Sequence, residues 1–204
     1  MKIKNVASAA TALTAVLVLT ACGGADTSGT ATSPAPVAPT SAAAPGAQVS
    51  AEHNDADIAF AQGMIPHHRQ AVEMSALATG RAGSDEVRRL AAAIEQAQAP
   101  EIAQMRGFLA AWGAPEPGGM GHGGMGHGGM AGMMTGDQMR RLEQSTGAAF
   151  DRMFLEMMIA HHEGAVQMAQ TELADGVDPQ ARALAQEIID AQQSEITVMG
   201  RLLG

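Results

Sequence analysis

The chain has 204 residues and a formal net charge of -9 at pH 7, with 12 basic residues against 21 acidic ones, so we exclude a nucleic-acid partner. Aromatic residues make up 2% of the sequence, which argues against a β-sandwich built around aromatic anchors. The single cysteine excludes an intramolecular disulfide bond and a cysteine-based zinc site.

The first 22 residues have the layout of an export signal. Two lysines precede an apolar run at 6–19, which is short for a membrane-spanning helix. The tetrapeptide Leu-Thr-Ala-Cys, which ends at Cys22, resembles the lipobox of bacterial lipoproteins, where the signal is cleaved before a cysteine that receives a lipid. We therefore expect a signal peptide at 1–21 and a lipid on Cys22 that anchors the protein to the extracytoplasmic face of the cell membrane. An ordinary export signal with an incidental cysteine is the alternative.

Residues 22–52 are dominated by alanine, serine, threonine, proline and glycine. A segment of this composition cannot bury enough apolar surface to fold. We interpret it as a disordered tether between the lipid and a folded domain at 53–204.

The two halves of that domain repeat each other. Residues 57–74 and 151–168 align at an offset of 94 with nine identities, and the same offset continues downstream. An unbroken offset over both segments predicts a duplicated helical hairpin, with repeat one at 54–111 and repeat two at 147–203.

Apolar residues recur every three or four positions in both repeats, which predicts amphipathic helices near 54–80, 84–111, 147–175 and 179–203, with a short helix near 136–145. We expect an all-α, antiparallel four-helix bundle, because a lone hairpin would leave its second apolar side uncovered. Two separate hairpins are the alternative. Pro66 and Pro100 fall inside helices, where we expect kinks.

Each repeat places methionine, histidine and methionine on about one helix face, with a second histidine 100° around the helix. The candidate metal ligands are Met64, His67, His68, Met74, Met158, His161, His162 and Met168. Polar residues on the core-facing stripes of the partner helices would orient these ligands: Gln98, Glu101, Gln192 and Glu195. Imidazole with thioether suits copper, especially Cu(I). The alternative is that the methionines only pack and that the first histidine of each motif, His67 or His161, is a core residue satisfied by Glu101 or Glu195.

The connection at 113–135 contains two copies of Met-Gly-His-Gly-Gly. We expect a flexible loop that does not pack. Exposed methionines in such a loop bury little surface, so metal capture is the functional hypothesis and low-complexity drift is the alternative. The candidate capture residues are Met120, His122, Met125, His127 and Met130.

The doubled Met-Ile-x-His-His motif, at 64–68 and 158–162, is followed in each repeat by Ala-Val-x-Met. Over residues 52–204 the chain resembles the domain of unknown function 305 family, secreted bacterial proteins grouped with the ferritin-like four-helix proteins. Some members are associated with copper in the periplasm or cell envelope, so the resemblance implies copper binding at the eight candidate positions. Ala160 departs from the first repeat, which has Pro66.

Three functions remain open. The first is a lipid-anchored copper-binding protein for sequestration or delivery, and the second is a structural or partner-binding bundle without metal. The third is a ferritin-like di-iron or di-manganese oxidase, but that chemistry needs a Glu-x-x-His pair on each of two helices, and the sequence contains none. Because we find no catalytic constellation, we expect a binding protein and not an enzyme.

Overall fold

A computed structural model of the chain describes residues 50–118 and 130–204. The predicted signal peptide, Cys22 and most of the tether lie outside these residues. The described part of the chain contains no β-strand and forms five α-helices: α1 (Asp55–Arg81), α2 (Asp85–Trp112), α3 (Gly136–Gln144), α4 (Gly147–Asp175) and α5 (Pro179–Leu203). All five predicted helices are present, so the all-α bundle is confirmed. Within the same residues, no helix is long and apolar enough to cross a membrane.

Capping side chains fix the ends of the long helices. Asn54 forms a capping box with Asp57 at the start of α1, and the Ser84 side chain accepts from the backbone of the first turn of α2. Asp178 caps α5 in the same way, directly before a proline at the first helical position. Each cap contributes ~1 kcal/mol of stability.

Both helical prolines lie inside continuous helices. α1 runs through the buried Pro66, and α2 runs through Pro100. Neither proline ends its helix, because packing against the neighbouring helices outweighs the lost backbone hydrogen bond. The kinks stay a prediction.

The helices pair as two hairpins, α1 with α2 and α4 with α5. The hairpins meet mainly along α1 and α4, while α2 and α5 make few contacts with each other. α1 and α4 are antiparallel: the Asn54 side chain, before α1, donates to the carbonyl of Asp175 at the end of α4. The two helices that carry the repeated histidine motif are therefore the central pair of the bundle.

Two aspartates at equivalent positions of the repeats join the hairpins. The Asp57 carboxylate accepts from the backbone N–H groups of residues 177–178, in the α4–α5 turn, at 3.1 and 2.9 Å. The Asp151 carboxylate accepts from those of residues 83–84, in the α1–α2 turn, at 2.9 Å each. Each hairpin thus holds the turn of the other, which makes the repeats one domain and excludes two separate hairpins.

The hydrophobic core consists of two clusters with polar residues between them along the helices. The first cluster includes Phe60, Ile102, Ala165 and Leu184. The second includes Met74, Ile94, Phe154 and Met199. On every long helix, polar residues lie between the segments that build the two clusters, and we call this set the central polar layer: His67, His68, Gln98, Glu101, His161, His162, Gln192 and Glu195.

One sequence expectation about packing is wrong. We expect the connection at 113–135 to remain unpacked, but both of its described ends pack. Ala114 lies against the first core cluster, and residues 130–134 lie on α1 and α4. Backbone hydrogen bonds, close glycine contacts and the Met134 side chain, which is buried in the second core cluster, hold the end at 130–134. We call residues 130–134 the crossing segment.

Candidate metal centre

The interface of α1 and α4 brings the histidines of both repeats together in the central polar layer. The ring centroids of His67 and His161 lie 3.8 Å apart, with 42° between the ring planes. The rings of His161 and His162 are 6.4 Å apart, and all four histidines, including His68, are fully buried. The doubled motif therefore forms one cluster of imidazoles and not two distant sites.

The second histidine of each motif pairs with a glutamate of the neighbouring helix. His68 Nε2 lies 2.7 Å from Glu101 Oε2, and His162 Nε2 lies 2.6 Å from Glu195 Oε2. The expected pairing of a glutamate with a histidine is present, but the partners are His68 and His162, whereas the core-residue alternative had paired these carboxylates with the first histidines. A carboxylate that accepts from Nε2–H leaves the Nδ1 lone pair of a neutral ring free to bind a metal.

The crossing segment supplies an equivalent acceptor to His67. His67 Nε2 lies 3.1 Å from the backbone oxygen of Ala131. Because a carbonyl oxygen can only accept, the ring proton is on Nε2, and Nδ1 carries a lone pair. Three of the four histidines thus have an oxygen partner at Nε2.

The remaining ring nitrogens lack partners. Within the described residues, Nδ1 of all four histidines and Nε2 of His161 are buried and make no hydrogen bond. Leaving such a group unpaired costs about 1 to 3 kcal/mol. A cation bound by these nitrogens would remove that cost, so the residues present fit a metal ion such as copper.

The electrostatics of the cluster keep the central pair neutral. Burial, and next the proximity of His68, lowers the pKa of His67 to about 3. Burial and the other three histidines lower the pKa of His161 well below its usual value of 6.5. Both rings are therefore neutral near pH 7, which is the form that binds a metal.

The two core glutamines lie in the same layer. Gln98 and Gln192 are each 3% exposed, and both amide atoms of Gln98 and the oxygen of Gln192 make no hydrogen bond in the described structure. Their place beside the histidines agrees with the predicted supporting role, which stays a prediction.

The four candidate methionines flank the layer. Met64 belongs to the first core cluster, and Met74 and Met158 belong to the second, all fully buried, whereas Met168 is partly buried. The three buried thioethers pack in the core clusters, and their role as metal ligands stays a prediction. Among the described residues, no group of three or more His, Cys, Asp or Glu side chains is arranged to hold a metal ion.

Sequence reasoning missed the residues that hold the crossing segment. Gln70 makes two hydrogen bonds with the backbone of Met134, accepting at 2.6 Å and donating at 2.9 Å. A Cβ built on Gly164 would collide with the backbone oxygen of Ala131, so no larger residue fits without a shift of the backbone. Gln70 and Gly164 occupy equivalent positions of the two repeats. The difference between Gln70 and Gly164 within otherwise similar motifs was the sequence signal for this contact. One crossing segment contacts both α1 and α4, so the residues that face it differ between the repeats.

The glycine-rich part of the connection is not described. Met120, His122, Met125 and His127 lie outside the described residues, so loop capture by them stays a prediction. Met130, the last residue of that set, is described and partly buried at the start of the crossing segment.

Comparison with known proteins identifies the family. The family named Domain of unknown function (DUF305) matches residues 57–203, and the chain belongs to it. No curated protein sequence matches the chain.

Solved structures of relatives share this fold. A DUF305 protein from Streptomyces coelicolor, described as secreted, is 38% identical, with 72% of this chain and 91% of that chain covered and a TM-score of 0.65. A DUF305 fragment from Deinococcus radiodurans is 32% identical, with 74% and 97% covered and a TM-score of 0.67. CopM in its Cu(II)-bound form is 33% identical, with 72% and 95% covered and a TM-score of 0.63, and CopM was also solved with Cu(I) and with silver.

Proposed function

We propose that this DUF305 protein binds copper outside the cytoplasm, for sequestration or delivery, and that the buried histidine cluster between α1 and α4 is the centre of the site. The observation that carries the proposal is the set of buried ring nitrogens without partners, in a cluster where three histidines are held at Nε2 by an oxygen. This is the arrangement in which a second residue orients a metal-binding imidazole.

The ligand chemistry favours copper over hard cations. Neutral imidazoles bind copper well, and thioethers add preference for Cu(I), whereas Mg²⁺ and Ca²⁺ require oxygen ligands. His67 and His161 are the central ligands, with His68 and His162 beside them. Met64, Met74, Met158 and Met168 are the thioether candidates. CopM, at 33% identity, was solved with copper bound, which supports the same assignment here.

The export signal predicted from the sequence and the relative described as secreted support this location. Lipidation of Cys22 would keep the protein at the outer surface of the cell membrane. The proposal is for a binding protein and not for an enzyme, and no protein partner is assigned.

A structural role without metal is the second candidate. The Glu101 and Glu195 pairs already satisfy one nitrogen each of His68 and His162. A buried polar layer of this kind can fix the register of packed helices.

Copper titration of a double variant separates the two candidates. His67→Ala with His161→Ala should abolish tight Cu(I) binding by the bundle, measured anaerobically against a competing chelator. His53→Ala is the matched control, because His53 is partly exposed, precedes α1 and stacks on Trp112. Unchanged affinity and stoichiometry in a folded double variant would exclude the proposed site and leave the structural role.

A further inference from the structure

Two methionine sulfurs meet over a glycine of α1. A Cβ built on Gly63 would lie 3.7 Å from Met168 Sδ and 3.8 Å from Met130 Sδ. One sulfur comes from α4 and the other from the crossing segment, and their separation is at most the sum of those two distances. Because glycine has no side chain, the space next to the α1 backbone is open to both thioethers.

This sulfur pair breaks the symmetry of the repeats. At the offset of 94, Gly63 corresponds to Met157, and Met168 corresponds to Met74. Met157 and Met74 are both buried in the second core cluster. In repeat one, Gly63 lacks that thioether and the crossing segment brings Met130 to the position, where Met130 and Met168 are only partly buried. Met130 and Met168 are therefore partly exposed residues, whereas Met74 and Met157 are buried.

The backbone of the segment that carries Met130 is held in place by contacts within the protein. The crossing segment is held by the two Gln70 hydrogen bonds, by the contact of Ala131 with His67 and by its close approach to Gly164. A ligand atom held by its scaffold loses little conformational freedom when a cation binds.

The sulfur pair lies next to the histidine cluster. Gly63 and His67 are four residues apart, so they share one face of α1. Helical side chains lean towards the N-terminus, which directs the His67 ring over the turn that contains Gly63. The pair thus occupies the side of the cluster on which the crossing segment lies.

From this geometry we propose that Met130 and Met168 form an outer site for a soft monovalent cation, Cu(I) or Ag(I), beside the buried histidines. Two neutral thioethers favour such cations and discriminate against Ca²⁺ and Mg²⁺, which require oxygen ligands. The inference rests on the proposed function, since it adds an outer site for the cation that the histidines bind. It makes the crossing segment part of the metal site, with the outer pair as the first point of contact for the ion.

Silver titration of the full mature chain tests the pair. Ag(I) is a soft probe that stays in one oxidation state, and methionines labelled with ¹³C at the methyl group report each thioether by NMR. The Met130 and Met168 methyl signals should shift together, with the same equivalent of Ag(I). Met130→Leu or Met168→Leu should weaken binding of that equivalent roughly tenfold or more. Met133→Leu, in the same crossing segment, is the matched control and should leave that affinity unchanged.

The histidine ring signals, recorded in the same titration, separate the two proposals. If the rings respond to Ag(I) while the Met130 and Met168 methyl groups do not, the outer site is wrong and the proposed function stands. The proposed pair is also wrong if the two methyl signals shift with different equivalents of Ag(I). The same holds if Met133→Leu weakens Ag(I) binding as much as Met130→Leu or Met168→Leu does. If neither rings nor methyl groups respond, both proposals fail.

Discussion

On three of the four histidine rings of the central polar layer, an oxygen atom that faces Nε2 fixes the position of the ring proton. For His68 and His162 the oxygen belongs to a glutamate, and for His67 it is the backbone oxygen of Ala131. His161 has no such partner in the described structure. The four imidazoles are thus chemically distinct although their sequence motifs are the same. His161 is the ring whose two nitrogens both lack a hydrogen-bond partner in the described structure.

Neutralising one orienting glutamate should weaken the metal site without removing a ligand. For Glu101→Gln we expect roughly 10-fold to 100-fold weaker Cu(I) binding, because the amide no longer offers a charged acceptor to the Nε2–H of His68. Glu195→Gln should have a similar effect through His162. Glu95→Gln, exposed on the same helix as Glu101, is the control. Equal affinities of all three variants in a chelator competition would show that the carboxylates do not support a metal ligand.

A single methyl group at Gly164 should displace the crossing segment. A Cβ there collides with the backbone of Ala131, which cannot move aside as a flexible side chain would. We expect Gly164→Ala to lower the free energy of unfolding by about 1 to 3 kcal/mol. Gly107→Ala is the control, because nothing lies within 4 Å of its Cβ and alanine favours a helix. Urea unfolding measures both variants, and equal stabilities would mean that the crossing segment does not lie on α4.

At the scale of the elements, the junction between the start of α1 and the end of α4 contains a buried pair of carboxyl groups, Asp57 and Glu172. Burial, followed by the facing Asp57 carboxyl, raises the pKa of Glu172 to about 8. Repeat one has Ala78 at the equivalent position, so the junction at Asp151 has no such carboxyl. We therefore expect the two ends of the bundle to contribute differently to the pH dependence of the free energy of unfolding.

Glu172 should make the apo protein less stable as pH rises. Between its ordinary pKa of 4.5 and about 8, the folded state keeps a proton that the unfolded state has lost, so the free energy of unfolding falls with rising pH. The lowered pKa values of His67 and His161 act in the opposite direction, but only at and below about pH 6.5. From pH 7 to 8, urea unfolding should show decreasing stability in the wild type and a flat profile for Glu172→Gln. Parallel profiles would contradict a raised pKa.

The helices and the polar layer could be predicted from sequence because they depend on local rules. Helical periodicity and capping residues such as Ser84 and Asp178 act within a few positions, and the offset of 94 shows that one solution is used twice. The choice of His68 over His67 as the partner of Glu101 depends on how α1 rotates against α2, which periodicity does not define. The contacts of the crossing segment could not be predicted for a related reason, since they come from backbone groups and from one buried side chain, Met134, and not from a repeating pattern.

At the scale of the whole molecule, duplication builds a site that neither hairpin contains. Each repeat contributes one histidine pair, and the reciprocal contacts of Asp57 and Asp151 hold the hairpins so that the pairs meet. The connection between the repeats then crosses this junction through residues 130–134 and adds an acceptor for His67. The proposed metal site is thus a property of the assembled bundle, because the ring contact at its centre joins His67 of one repeat to His161 of the other.

The most direct measurement of the central claim is long-range ¹H–¹⁵N NMR of the histidine rings, recorded on the apo protein and after one equivalent of Cu(I). In the apo state, His67 should show a proton on Nε2 and a bare Nδ1. On adding Cu(I), we expect the ¹⁵N signals of His67 Nδ1 and of one ring nitrogen of His161 to shift, while the Nε2–H signal of His67 persists. Tight binding of Cu(I) with all four ring spectra unchanged would contradict it.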